Sequence, residues 1–488
     1  MILRKITLIA SIAFLLASCS EEPIENRELK EYFSSYLNDN EDVIAFGNAK
    51  ITSILNKAQY DKVMMLKMII GEQLSTFKGL IDLDGSVYYT ANAPLNNDAA
   101  PEEIVMFIEV VDAEKLKKHL SAEMSYDINE AKGFSYTADG DMSLGIRGNL
   151  VIILIKPGVY NEEEELAAAF EKVDGKESKG DIADLLKVDD GDFVSAVNVG
   201  NFVLNSESHM GDLSTTKKAE LKKLFTGAFV NTSVKFEDGR AVIETTNHFS
   251  KELKSKMFFE SDPSAAVLSD LGGGSPIAGF CMNIDLDKME TFMNDLHPQA
   301  LNKLGGMNYV GLKFIAGTNN LGDMISGKAG MLFFDEPGNG DFPILMNSYV
   351  GLESKGEKVI DNIVENFGEF IPRGIPDYSI KNGGVTISGN KSDASKGLTI
   401  PAMAKGFGEA GMSFFVNLEN LTEEKLTELA GSSKYGPILK VAKFISFEYN
   451  NEGGKLIITA KDGKSNILKQ SLEAGMENIS ELVGGVSF

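Results

Sequence analysis

The chain has 488 residues, is 43% hydrophobic and 24% charged, and carries a formal net charge of −24. That length exceeds one ordinary hydrophobic core and suggests two domains or more, while the apolar fraction is not that of a disordered chain. A surface this acidic repels phosphate backbones, which argues against nucleic acid as a partner and against electrostatic docking on anionic lipid.

At the N-terminus, Met1-Ile2-Leu3-Arg4-Lys5 is a short cationic segment, and Ile6 to Leu16 follows without a charge. That apolar run is shorter than the roughly 20 residues a membrane-spanning helix needs, and it has the length of a signal-peptide core. Leu16-Ala17-Ser18-Cys19 then resembles the bacterial lipobox. The resemblance implies cleavage between Ser18 and Cys19 and lipid on the Cys19 thiol. Residues 1–18 are thus expected to be a lipoprotein signal peptide and residues 19–40 a polar tether with one short helix. Each buried methylene contributes about 0.8 kcal/mol, so two or three acyl chains hold the protein on a membrane. Ser20 stands where Asp would favour the inner membrane, and Glu21 and Glu22 follow. This resembles outer-membrane sorting and the surface-export signal of Bacteroidota lipoproteins. The expected location is the outer membrane, with its cell-surface and periplasmic faces both open.

Beyond the tether, short apolar strands alternate with amphipathic helices and polar hairpins. Val43 to Phe46 leads into a helix near Ile51–Lys67 and then a hairpin around Asp84-Gly85. Ile104 to Val110 leads through Asp112, an N-cap residue, into Ala113–Leu120 and a hairpin at Asp139-Gly140. Phe193 to Val199 precedes a Lys-rich helix around Lys217–Leu224 and a hairpin at Asp238-Gly239. The same order returns from Ile277 to Ile284, with a helix over Asp287–Leu296. It continues through Met331 to Phe334, a helix over Lys358–Phe367 and the turn Asn382-Gly383-Gly384. It ends with Met412 to Leu418, a helix over Glu423–Leu429 and the hairpin from Ile445 to Thr459. Asp-Gly and Asn-Gly turns supply positive φ at little cost. The expected fold class is α+β: tandem β-α-β-β units, largely antiparallel sheets with helices on one face, and two similar halves. The halves are expected over 41–262 and 275–488, joined through the Gly-containing stretch Ser261–Gly274.

The lipobox, together with strand-to-helix junctions such as Val197-Asn198-Val199 and Val416-Asn417-Leu418, resembles the Bacteroidota envelope lipoproteins of domain-of-unknown-function family 4836. That resemblance implies no activity and assigns no catalytic residue.

Several motifs come close to known chemistry. Gly322 to Ala329 is nearly a phosphate loop, but Ala329 replaces the Ser or Thr that binds magnesium, and a strand rather than a helix is expected after it. Gly406-Phe407-Gly408-Glu409-Ala410-Gly411 fits a dinucleotide fingerprint in letters but opens a strand. Asp82-Leu83-Asp84-Gly85 and Asp139-Gly140-Asp141 lack the full ligand series of a calcium loop and read as turns. Asp189-Asp190-Gly191-Asp192 is the best cluster for a weak calcium site. Glu162 to Glu165 reads as the first turn of a helix, where acidic residues favour the dipole. His119, His209, His248 and His297 are scattered, and Cys281 reads as a small buried hydrophobe. No catalytic residue, cofactor or metal is expected, and no nucleotide. The expected function is a lipid-anchored binding or assembly subunit with an envelope protein partner. The alternatives are a small ligand, glycan or lipid held between the halves, or a hydrolase assembled from distant Ser, Asp and His.

Overall fold

A computed structural model describes residues 28–38, 40–63, 67–95, 101–131, 133–158, 161–175, 191–205, 214–260, 268, 271, 273–296, 320–335, 345–358, 377–381, 384–388, 397–419, 421 and 436–484. The fold is α+β with antiparallel ladders. By contact, the chain divides into one unit of residues 1–236 with 468–473 and a second of 237–467 with 474–488. This division falls before the stretch Ser261–Gly274, most of which lies outside the described residues.

The first unit contains β1 (Val43–Ala49), β2 (Val87–Leu95), β3 (Pro101–Glu109), β4 (Asn129–Ala131), β5 (Phe134–Asp139), β6 (Met142–Arg147), β7 (Leu150–Ile155), β8 (Phe193–Asn198) and β9 (Phe229–Glu237). Their antiparallel pairings run in the order β4-β5-β6-β7-β3-β2-β1-β8-β9. The Asp139-Gly140 hairpin joins β5 and β6 as expected, with Gly140 at φ +62°. Asp84-Gly85, in contrast, is not a hairpin tip. It leads into β2, and the hairpin there is formed by β2 and β3.

Strand β7 explains the layering. Leu150-Val151-Ile152-Ile153-Leu154 is apolar at every position and buried throughout, the pattern of a strand covered on both faces. Leu150, Ile152 and Leu154 join Phe33, Phe46, Phe107, Leu166 and Phe170 in one core. Val151 and Ile153 join Ile108, Leu116, Leu120 and Leu144 in another. Because alternate strand residues point to opposite faces, helices cover both faces of this sheet, and the expectation of one helical face is corrected. The helix Leu29–Asn38 is part of the first core, burying Tyr32, Phe33, Tyr36 and Leu37. Leu29–Asn38, expected within the tether, are therefore part of a folded core.

The second unit contains β10 (Arg240–His248), β11 (Ala278–Asn283), β12 (Ile325–Phe334), β13 (Leu345–Leu352), β14 (Asp377–Lys381), β15 (Gly384–Ser388), β16 (Met412–Asn417), β17 (Ala442–Asn450) and β18 (Gly453–Ala460). Their order is β14-β15-β13-β12-β11-β16-β17-β18-β10, again antiparallel throughout. The core on one face gathers Cys281, Leu332, Phe334, Phe407, Phe415 and Phe444. Phe415 and Phe444 stack at 6.0 Å with nearly parallel rings. On the opposite face Phe280 pairs with Phe414 and Phe414 with Phe447, all partly buried. The helix Leu286–Leu296 starts at Asp285, whose carboxylate accepts from the Lys288 N–H at 2.9 Å. The helices expected at Lys358–Phe367 and Glu423–Leu429 lie almost wholly outside the described residues.

Candidate functional site

The crossover from β1 to β2 in the first unit builds a groove. Its first wall is the helix Ile51–Ala58, which presents Thr52, Leu55 and Asn56 at the spacing of one helical face. That helix ends at Gln59, which takes a left-handed φ of 50°, and the turn Tyr60–Lys62 carries Tyr60 into the lining. The opposite wall comes from Leu74, in the short helix Glu72–Phe77, and from the loop Lys78 to Asp84. The loop is tied to the end of β3. Ile81 bridges to Val110, the Asp82 N–H donates to Glu109 O at 3.2 Å, and the Val111 N–H donates to Leu80 O at 3.2 Å. Thr52 Oγ1 donates to Leu83 O, joining the two walls. The groove is open to solvent along its mouth and has a volume of about 330 Å³, at the lower end of the roughly 300–1,000 Å³ usual for ligand pockets.

The groove has an apolar floor and a charged rim. Ile81 is buried and packs into the second core of this unit, with Leu55, Leu74 and Leu83 partly buried against it. At the rim Val111 is 61% exposed. Lys78, Asp82 and Asp84 are exposed beside it. Asp82 Oδ1 accepts from the Asp84 N–H at 3.1 Å, so this pair of aspartates forms a turn, as read from sequence. Glu109, outside the lining, is tied to the rim through the Asp82 N–H. Burial, then Asp82 and Glu28, push its carboxyl above the ordinary range.

The helical wall is fastened from behind. Lys57 and Ser53 lie four residues apart and both reach Asp192, just before β8. Lys57 Nζ is 2.6 and 2.7 Å from the two carboxylate oxygens, and Ser53 Oγ donates at 3.0 Å. The Phe236 N–H also donates to Asp192 at 2.7 Å. The Asp192 side chain is 4% exposed. Asp189 to Asp192 is the best cluster in the sequence for a weak calcium site, although no metal is expected. Asp189 and Asp190 lie outside the described residues, and Asp192 is committed to Lys57 instead.

A second polar cluster lies under the helix Leu29–Asn38. Asn92 Nδ2 donates to the Tyr36 hydroxyl at 3.1 Å and to Glu103 at 2.6 Å. Burial first, and Glu103 next, hold the Tyr36 hydroxyl far above its usual titration range. Lys156 closes the cluster outward, 2.8 Å from Glu165 and 3.4 Å from Glu103.

The residues singled out in the sequence fall elsewhere. Ser18, Cys19, Ser20, Glu21 and Glu22 lie outside the described residues, as do His209 and His297. His119 stands edge-on to Phe77 at 5.2 Å, and its Nδ1 is 3.4 Å from Glu123. His248 ends β10. Glu162 to Glu165 form the first turn of the helix Glu162–Val173. Gly330 to Phe334 continue β12, and Gly406 to Gly411 precede β16, so neither glycine motif opens a helix. Asp112 occupies an N-cap position, but its carboxylate pairs with Lys115 rather than with the helix backbone. Cys281 is fully buried. Among the described residues, no cluster of three or more His, Cys, Asp or Glu is placed to hold a metal, and no helix is long and apolar enough to cross a membrane.

No protein family and no curated protein matches the sequence. Among solved structures, crystal form I of TP0453 is similar with a TM-score of 0.27 and 7% identity, over 45% of this chain and 78% of that one. Crystal form III gives a TM-score of 0.22 and 7% identity, over 73% of this chain and 92% of that one. A likeness this slight carries no inference about fold or function.

Proposed function

We propose that the chain is a lipid-anchored envelope lipoprotein of the outer membrane, akin to family 4836, that acts as a binding or assembly subunit for an envelope protein. The observation that carries this reading is Leu16-Ala17-Ser18-Cys19 behind a short cationic and apolar leader, with Ser20, Glu21 and Glu22 after it. A binding role is supported by the groove of the first unit, whose lining offers a hydroxyl, an amide and both signs of charge over an apolar floor. Crosslinking in native membranes followed by affinity purification tests it. One reproducible envelope partner is expected, and recovery of the free monomer alone would count against it. Protease shaving of intact cells separates the two faces: digestion places the folded part outside, and protection places it in the periplasm.

We further propose that the chain is built from two similar halves of β-α-β-β units joined within Ser261–Gly274. Support comes from the strand orders. The run β6-β7-β3-β2-β1-β8-β9 in the first unit has the same connectivity as β14-β15-β13-β12-β11-β16-β17 in the second.

A second reading, binding of a small ligand, is favoured by the size of the groove and by its apolar floor beneath a few polar groups. It places the ligand within the first unit, whereas the sequence expectation placed it between the halves.

A further inference from the structure

We infer that the groove of the first unit takes a small zwitterion of the amino-acid type, with a free ammonium and a free carboxylate beside an apolar side chain. This rests on the second reading above, that the groove is a ligand site. The floor of Leu55, Leu74, Ile81 and Leu83 suits an aliphatic or aromatic group. The rim carries Lys78 and, on the same loop, Asp82 and Asp84. Elsewhere on this chain cations and carboxylates close into contact, as in Lys57–Asp192 at 2.6 Å, Lys156–Glu165 at 2.8 Å and Lys288–Asp285 at 2.9 Å. Among the described residues, Lys78 makes no ion pair with either rim aspartate. Both signs of charge therefore stand at the opening without an ion pair between them, Asp82 Oδ1 accepting from the Asp84 N–H.

Charge complementarity then sorts the ligand classes. A fatty acid would meet Lys78 but also the two aspartates and the adjoining Glu109, a like-charge arrangement. A simple organic cation would satisfy the aspartates and leave Lys78 without a partner. A neutral sugar would satisfy neither sign. A zwitterion satisfies both, with its ammonium toward Asp82 and Asp84 and its carboxylate toward Lys78. The Asn56 amide and the Tyr60 hydroxyl on the facing wall can bond a peptide unit. A volume of about 330 Å³, at the small end for ligand pockets, suits a ligand the size of a free amino acid or a dipeptide.

Calorimetric titration of the full-length chain in nanodiscs tests this with leucyl-leucine and with leucine, which separate the peptide from the free amino acid. N-acetyl-leucyl-leucine amide, maltose and hexanoate are the comparison probes. Saturable binding of leucyl-leucine or leucine is expected, weakened about tenfold or more when both ends are capped. Lys78→Met and Asp84→Asn should each lower affinity about tenfold without moving the melting temperature, since both side chains are exposed. Equal affinity for the capped peptide, or binding of maltose or hexanoate alone, would overturn the zwitterion and leave the groove as a site. Peptide binding unchanged in both variants would place the ligand elsewhere and overturn the inference. No binding of any probe would overturn the groove reading along with it.

Discussion

Lys57 holds both carboxylate oxygens of Asp192, at 2.6 and 2.7 Å, and so fixes the helix Ile51–Ala58 to the residue just before β8. The two partners are 135 residues apart in sequence. Removing only the cation would leave a buried carboxylate with Ser53 and the Phe236 N–H as its remaining partners. Lys57→Met should therefore cost about 3 kcal/mol, the low end for a broken buried pair because Lys57 is partly exposed. Adding Asp192→Asn should recover part of that loss. Urea unfolding of the single and double variants measures both, and a loss below about 0.5 kcal/mol would mean the pair is effectively solvated.

Glu109 and Asp285 predict opposite responses to pH. The Glu109 carboxyl is raised by burial, then by Asp82 and Glu28. Its ionisation disfavours the folded state once the pH exceeds the folded pKa, and the penalty is absent below the unfolded value of about 4.3. Glu109→Gln should then raise the melting temperature at pH 7. The gain should disappear as the pH falls to about 4.

At Asp285 burial alone would raise the carboxyl, but the Lys288 side chain, its backbone N–H and its charge outweigh burial and lower it. The resulting stability is present above the unfolded Asp value of about 3.9 and is lost as the pH falls through the lower folded value. Asp285→Ala should cost about 1 kcal/mol at pH 7, the usual loss of an N-cap. Thermal unfolding of variant and parent should converge only in acid below the unfolded value, and a constant gap down to pH 2 would contradict this.

Two serines give a backbone test. Ser214 Oγ accepts from the Lys217 N–H at 3.2 Å, and Ser250 Oγ accepts from the Leu253 N–H at 3.1 Å. Each Ser→Ala change should cost about 1 kcal/mol, and the corresponding Ser→Gly change only a few tenths. Chemical denaturation ranks the four variants.

Cys19→Ala should abolish lipidation and move the chain from the detergent phase to the aqueous phase in a cloud-point separation. Metabolic labelling with a fatty-acid analogue should fail in the variant. Retention of label would place the lipid elsewhere.

Much of the fold is written locally. Strict apolar runs such as Leu150 to Leu154 and the turns at Asp139-Gly140 and Asn450 to Glu452 mark strands and hairpins without reference to the rest of the chain. The helix Leu29–Asn38 was also legible, because Leu29, Tyr32, Phe33, Tyr36 and Leu37 recur at helical spacing, yet the acidic surroundings conceal that it belongs to a core. The groove was not legible. Its two walls meet through Thr52 with Leu83, its loop wall is held to β3 by Ile81 with Val110, and no local pattern encodes those contacts. Asp82 and Asp84 were visible only as a turn, and Lys78 carried no signal at all. The same holds for Asp192, which looks like one of a run of acids until Lys57 arrives from far upstream.

Cys281 sits with 0% exposure in the middle of the second unit's sheet, flanked by β12 and β16. With Cys19 capped by lipid, it would be the one thiol open to alkylation, and only when that sheet opens. The rate at which a maleimide consumes it would therefore time the breathing of the second unit without any introduced probe. The same measurement on the Lys57 and Asp192 variants would report whether loosening one unit is felt by the other.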